Sequence, residues 1–188
     1  MKLLMIGHSY VRDFARLNRT RVVLEDNTEV NVKYCGFPGA SYQTFLNDPS
    51  LLQAAFEYCP DYTIVILAGN SFRTNNTNAD VYCLCKKFYK LIRDNLPSTV
   101  LIAAQAESRY LNPSFHSLPP SDYIKRRDAF NRFLKRFCLK DFILQVSGPG
   151  RLDNVKYYRD NVHLNRTGQL KYLEYIVKTL SYCRRSRQ

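Results

Sequence analysis

The chain has no long apolar run. Its longest, Tyr62 to Ala68 and Val100 to Ala104, fall far short of the roughly 20 residues a helix needs to cross a bilayer. Lys2 followed by Leu3 to Ile6 imitates the start of a signal peptide, but the apolar stretch is too short and polar residues follow at once. The expectation is a soluble, intracellular protein without signal peptide or transmembrane segment. No Pro/Gly/Ser-rich linker or charge block divides the 188 residues, which fit one domain with a sizeable core, residues 1–188, ending in a short basic tail, 184–188. Metal-ligand spacing is missing too. The six cysteines (Cys35, Cys59, Cys83, Cys85, Cys138, Cys183) are scattered, most within apolar patterns where a thiol acts as a small hydrophobe. Cys83 and Cys85 lie two apart in a helical pattern and face different ways. Neither a zinc site nor a disulfide framework is assigned, and no cofactor. Acidic residues are scarce, 16 against 28 Lys and Arg, for a net charge of +12. The excess gathers in Lys125-Arg-Arg127, Arg132, Lys135-Arg136, Lys156 and Arg184-Arg-Ser-Arg187. Such a field attracts phosphate backbones, anionic membrane or acidic substrates, and serves equally as a solubilising surface.

Apolar runs alternate with helical patterns from end to end, the sequence form of an α/β fold with a parallel sheet covered on both faces. Five strands are expected, at Lys2 to Ile6, Asn31 to Cys35, Thr63 to Leu67, Thr99 to Ala104 and Asp141 to Val146. Helical stripes run through Val81, Leu84, Cys85, Phe88, Leu91 and Ile92, stopped by Pro97, then through Phe130, Phe133, Leu134 and Phe137, and through Leu170, Leu173, Ile176, Val177 and Leu180. The segment Gln105 to Asp122, rich in Pro, Ser and Asn, has no apolar period. It is expected to be a long loop beside the ligand crevice at the carboxyl ends of the strands, a candidate substrate-facing lid. His116 within it has no acidic neighbour and reads as an exposed loop residue.

The chemistry-bearing residues sit at the two ends of the chain. Ser9 follows the first strand and Gly7 and opens a helical pattern with Val11, Phe14 and Ala15, where free backbone N–H groups favour developing negative charge. Taken alone, such a serine is most simply a helix cap. His163 precedes Asn165, the expected N-cap of the last helix, and Asp160 is near enough to orient its ring. Oxyanion donors have candidates as well. Gly39, in Cys35-Gly-Phe-Pro-Gly-Ala-Ser41, follows the second strand, and Asn70, in Leu67-Ala-Gly-Asn-Ser71, follows the third. Either block can instead only shape a turn.

Gly7-His-Ser9, Gly39, Gly69-Asn70 and Asp160-Asn-Val-His163 together resemble the four blocks of the SGNH (GDSL-type) hydrolases, in order and across essentially the whole chain. The first block and Val162-His-Leu-Asn-Arg-Thr-Gly168 are also similar to SGNH domains of invertebrate mobile-element proteins. The resemblance implies a flavodoxin-like, three-layer α/β/α sandwich and metal-free ester hydrolysis. By position it implies Ser9 as nucleophile, His163 as general base and Asp160 as the residue that orients it. The oxyanion hole would be the backbone N–H groups of Ser9 and Gly39 and the side chain of Asn70. Two departures stand out: His8 replaces the aspartate of Gly-Asp-Ser, and Ala68 and Ser71 replace the outer residues of Gly-x-Asn-Asp.

The leading expectation is a serine esterase acting on a carboxylic ester, with an acyl or acetyl group, of a small molecule, lipid or acylated substrate. The alternative is a catalytically weak or inactive module of the same fold that binds nucleic acid or anionic membrane through its basic surface. A protease is a weaker third option, since nothing suggests a pocket for a peptide side chain. Three N-glycosylation sequons, at Asn18, Asn75 and Asn165, read as incidental.

Overall fold

Alternation along β1 (Lys2–Gly7) sets the architecture: Leu4 and Ile6 join the core on one face of the sheet, Leu3 and Met5 the core on the other. A strand buried on both faces needs a layer of helices on each side. Both layers are present in the computed structural model, which describes residues 1–73, 75–107, 118–146, 154–160 and 162–185. Over Leu4 and Ile6 pack Phe45 of α2 (Tyr42–Asn47), Ala55 of α3 (Gln53–Phe56), Phe88 of α4 (Asn78–Asn95) and Phe130 of α5 (Pro120–Lys140). Over Leu3 and Met5 pack Val11 and Phe14 of α1 (Ser9–Ala15) with Tyr172, Ile176 and Leu180 of α6 (Arg166–Arg185). The result is the expected α/β/α sandwich.

The remaining strands are β2 (Arg21–Val23), β3 (Glu29–Gly36), β4 (Tyr62–Ile66), β5 (Val100–Ala104) and β6 (Leu144–Val146). Their order is β2-β3-β1-β4-β5-β6. β3, β1, β4, β5 and β6 pair in parallel, as the five expected strands. The sheet has a sixth: β2 pairs antiparallel with β3 at the edge. Its three residues are too few to show an alternating pattern, and a tight turn makes the hairpin, with Asn27 at φ 61° and the Asp26 carboxylate accepting from Thr28 N.

Two boundaries also differ from expectation. β6 starts at Leu144, because Asp141 caps α5 and Phe142, at φ 53°, turns the chain. At its other end α5 begins at Pro120, so Pro120, Ser121 and Asp122 of the expected loop form its first turn, where a proline lacking an N–H is at no disadvantage. Most of the expected lid, residues 108–117 with His116, lies outside the described residues. Cys83 is exposed and Cys85 buried on α4, on different faces as expected. α6 runs through Arg185, so the first two residues of the expected tail are helical, and Arg184 and Arg185 pair with Asp26 and Glu25. None of the described helices is long and apolar enough to cross a membrane.

One close approach ties the first helix to the sheet. A Cβ on Gly36 would lie 2.2 Å from the backbone nitrogen of Arg12 and 2.7 Å from the carbonyl carbon of Val11. α1 therefore rests directly on the end of β3. Gly36→Ala is expected to lower stability by about 1–3 kcal/mol, since backbone cannot yield as a side chain does. At roughly 2–4 °C per kcal/mol for a domain of this size, thermal unfolding would report it; an unchanged midpoint would contradict the close packing.

Candidate active site

Three loops leave neighbouring parallel strands at one end of the sheet. Gly7 pairs with Gly36 on one side and with Ile66 on the other. The next residues continue the ladder: His8 N donates to Ile66 O at 3.2 Å, and Phe37 N to Gly7 O at 3.1 Å. Parallel register thus delivers the Ser9, Gly39 and Asn70 blocks to the same edge, where α/β folds bind ligands.

Ser9 is the first residue of α1 and 6% exposed. The cap itself is His8, whose Nδ1 accepts from Tyr10 N at 3.3 Å. The histidine that replaces the aspartate of Gly-Asp-Ser therefore takes over the capping role that a serine at this turn would otherwise fill. Gly39 has φ +70°, a conformation favoured by glycine, in the turn closed by Ala40 N donating to Phe37 O. Asn70 ends a short 3₁₀ turn, Ala68–Asn70, and its Nδ2 donates to Ala40 O at 3.1 Å. That bond spans the second and third blocks and brings Asn70 beside the Gly39 turn.

Asp160 and His163 meet as the sequence suggests. Asp160 Oδ2 lies 2.8 Å from His163 Nδ1, while Oδ1 accepts from His163 N at 2.7 Å and Val162 N at 3.2 Å. Burial alone would raise the Asp160 carboxyl, but these hydrogen bonds from His163 and Val162 outweigh it and hold the group below its ordinary value. An ionised Asp160 facing Nδ1 favours a proton there, leaving Nε2 as the imidazole's base. The loop around them is closed by the bridge between Tyr158 and Leu164, and Asn165 caps α6 by accepting from Gly168 N at 3.0 Å. No hydrogen bond joins Ser9 to His163 among the described residues.

What docks this loop against the nucleophile's helix escaped the sequence reading. Tyr10 donates its hydroxyl to Val162 O at 2.7 Å, and Arg159 pairs with Asp13 at 3.1 Å. Asp13, 3% exposed, also receives Arg12 at 2.7 Å and Arg16 at 3.5 Å. One signal was available, an acidic residue on the apolar side of α1 between Val11 and Phe14. Its partner across the chain was not. Among the described residues no cluster of His, Cys, Asp and Glu could hold a metal ion.

No family model matches the chain, and no curated protein matches its sequence. Solved structures do match its fold. A member of the lipolytic G-D-S-L family from Veillonella parvula superposes with a TM-score of 0.70 at 14% identity, covering 95% of this chain and 97% of that one. A GDSL-like lipase from Bacteroides thetaiotaomicron gives 0.66 at 13%, covering 95% and 88%. An acetylxylan esterase mutant from Geobacillus stearothermophilus gives 0.65 at 13%, covering 94% and 92%. The chain has the SGNH hydrolase fold.

The lowered Asp160 has a stability consequence. A carboxyl with a depressed folded pKa contributes stability that is fully present above its unfolded value, near 3.8, and lost as pH falls through the folded one. Asp160→Asn should remove that part of the acid sensitivity, so its stability falls less steeply below pH 3.8 than the parent's. Equal slopes in denaturant titrations across that range would contradict the pairing.

Proposed function

We propose that the protein is a serine hydrolase of carboxylic esters, working through Ser9, His163 and Asp160. The observation that carries this reading is the Asp160–His163 pair, 2.8 Å apart and docked on the helix that Ser9 begins, within a fold shared with lipases and an acetylxylan esterase. In this scheme Nε2 of His163 takes the proton of Ser9 Oγ as the oxygen attacks the ester carbonyl. The oxyanion is stabilised by the N–H groups of Ser9 and Gly39 and by Asn70 Nδ2. Collapse expels the alcohol, which takes its proton from His163, and water activated by the same histidine releases the acid from the acyl-enzyme. Asp160 orients the ring and stabilises the imidazolium without itself becoming protonated.

Asn70→Ala is expected to lower kcat by about 10²–10³-fold on 4-nitrophenyl acetate, as loss of one oxyanion donor does. Ser9→Ala should abolish turnover of the same ester. Wild-type turnover that persists in Ser9→Ala would overturn the assignment of the nucleophile.

A further inference from the structure

A polar cleft of about 590 Å3 opens between α2 and α4, with Ser41, Asn47, Ser71, Arg73, Asn75 and Lys87 in its lining. Two of its lining residues stand next in sequence to residues that carry or support the proposed oxyanion donors. Ser41 follows Ala40, whose carbonyl holds Asn70, and Ser71 follows Asn70 itself.

Two features point to a bound group there. Ser71 is 3% exposed, and its hydroxyl has no hydrogen-bond partner among the described residues. An unpaired buried hydroxyl costs about 1–3 kcal/mol, a cost that a ligand supplying the missing partner would offset. The charge is also unbalanced. Arg73 and Lys87 are exposed and in no ion pair with a described residue. They outnumber the carboxylate in the described lining, Asp80, which the hydrogen bonds from Thr77 N at 2.7 Å and Thr77 Oγ1 at 2.8 Å keep ionised, so the described lining carries a net positive charge.

We propose that this cleft selects esters carrying an anionic group, held by Arg73 and Lys87 with Ser71 as a hydrogen-bonding partner; the proposal rests on the esterase reading and names its substrate class. The anion belongs either to the acyl part or to the alcohol part. Each source has its own probe.

The test is calorimetric titration of the Ser9→Ala protein, which binds without turning over. Mono-4-nitrophenyl glutarate carries the anion on the acyl side and is compared with neutral 4-nitrophenyl valerate. The alcohol side is probed by 4-acetoxybenzoate against 4-methylphenyl acetate. One anionic ester is expected to bind about tenfold more tightly than its neutral counterpart, the scale of two partly screened charge contacts. That preference should shrink as salt rises and vanish when Arg73→Ala and Lys87→Ala are added. Equal affinity for anionic and neutral esters, or a preference indifferent to both salt and the two substitutions, would overturn the proposal. Hydrolysis is read separately on the wild-type protein. An inactive wild type with intact anion preference sinks the esterase reading and leaves the cleft, whereas an active enzyme without the preference does the reverse.

Discussion

The site depends on one clasp, in which α1 near the start of the chain holds the loop just before α6 near its end. Tyr10 reaches Val162 at 2.7 Å and Asp13 reaches Arg159 at 3.1 Å, across 152 and 146 residues of sequence. Bringing such distant segments together carries a loop-closure cost that grows only slowly with length, so a few good contacts suffice once the sheet has formed. Asp13 is the stronger half. A carboxylate that is 3% exposed is tolerable because Arg12, Arg16 and Arg159 all reach it, and removing a partner would leave charge buried without compensation. α1 in turn stays where it is because Gly36 lets its backbone rest on the end of β3. The proposed nucleophile and base are thus carried by elements locked to one another, although no direct bond links them.

The polar cleft is continuous with this arrangement in sequence and in chemistry. The bond from Asn70 to Ala40 ties together the turns after β3 and β4, and the next residue of each turn lines the cleft. In the proposed scheme the donors that stabilise the oxyanion and the groups that select the rest of the ester therefore share one support. Serine where the resembled Gly-x-Asn-Asp block has aspartate places a hydroxyl without a partner among the described residues, not a charge, at that junction. In the proposed scheme a second carboxylate there, added to Asp80, would cancel the net positive charge that Arg73 and Lys87 give the described lining. Elsewhere the positive charge is partly consumed internally. Arg126 donates to the carbonyls of Arg73 and Asn76, Arg127 pairs with Asp128, and Arg184 and Arg185 close onto the β2–β3 hairpin.

Much of the fold was legible because burial on both faces writes itself into the strands. Leu3 to Ile6, Ile64 to Ala68 and Leu101 to Ala104 are apolar without interruption, and the stripe from Val81 to Ile92 marks α4 directly. The Asp160–His163 pair was legible for a local reason, since the partners lie only three positions apart and one turn suffices to join them. β2 was not, because a three-residue edge strand is specified by its hairpin and its neighbour, not by its own pattern. The start of α5 was hidden by Pro119 and Pro120, which read as loop although proline is well placed in a first turn. His8 as the cap, the bond from Asn70 to Ala40 and the Asp13–Arg159 pair all depend on side-chain direction or long-range contact, which spacing along the chain does not encode.

The central claim is that Ser9 is the activated nucleophile of this site. Reaction with a fluorophosphonate, followed by peptide mapping by mass spectrometry, addresses it with no assumption about the natural substrate, because the reagent requires only an activated serine. The account predicts one adduct, on Ser9, formed by the wild-type protein and much more slowly after His163→Ala. No adduct, or one at another serine formed at the same rate without His163, would contradict it.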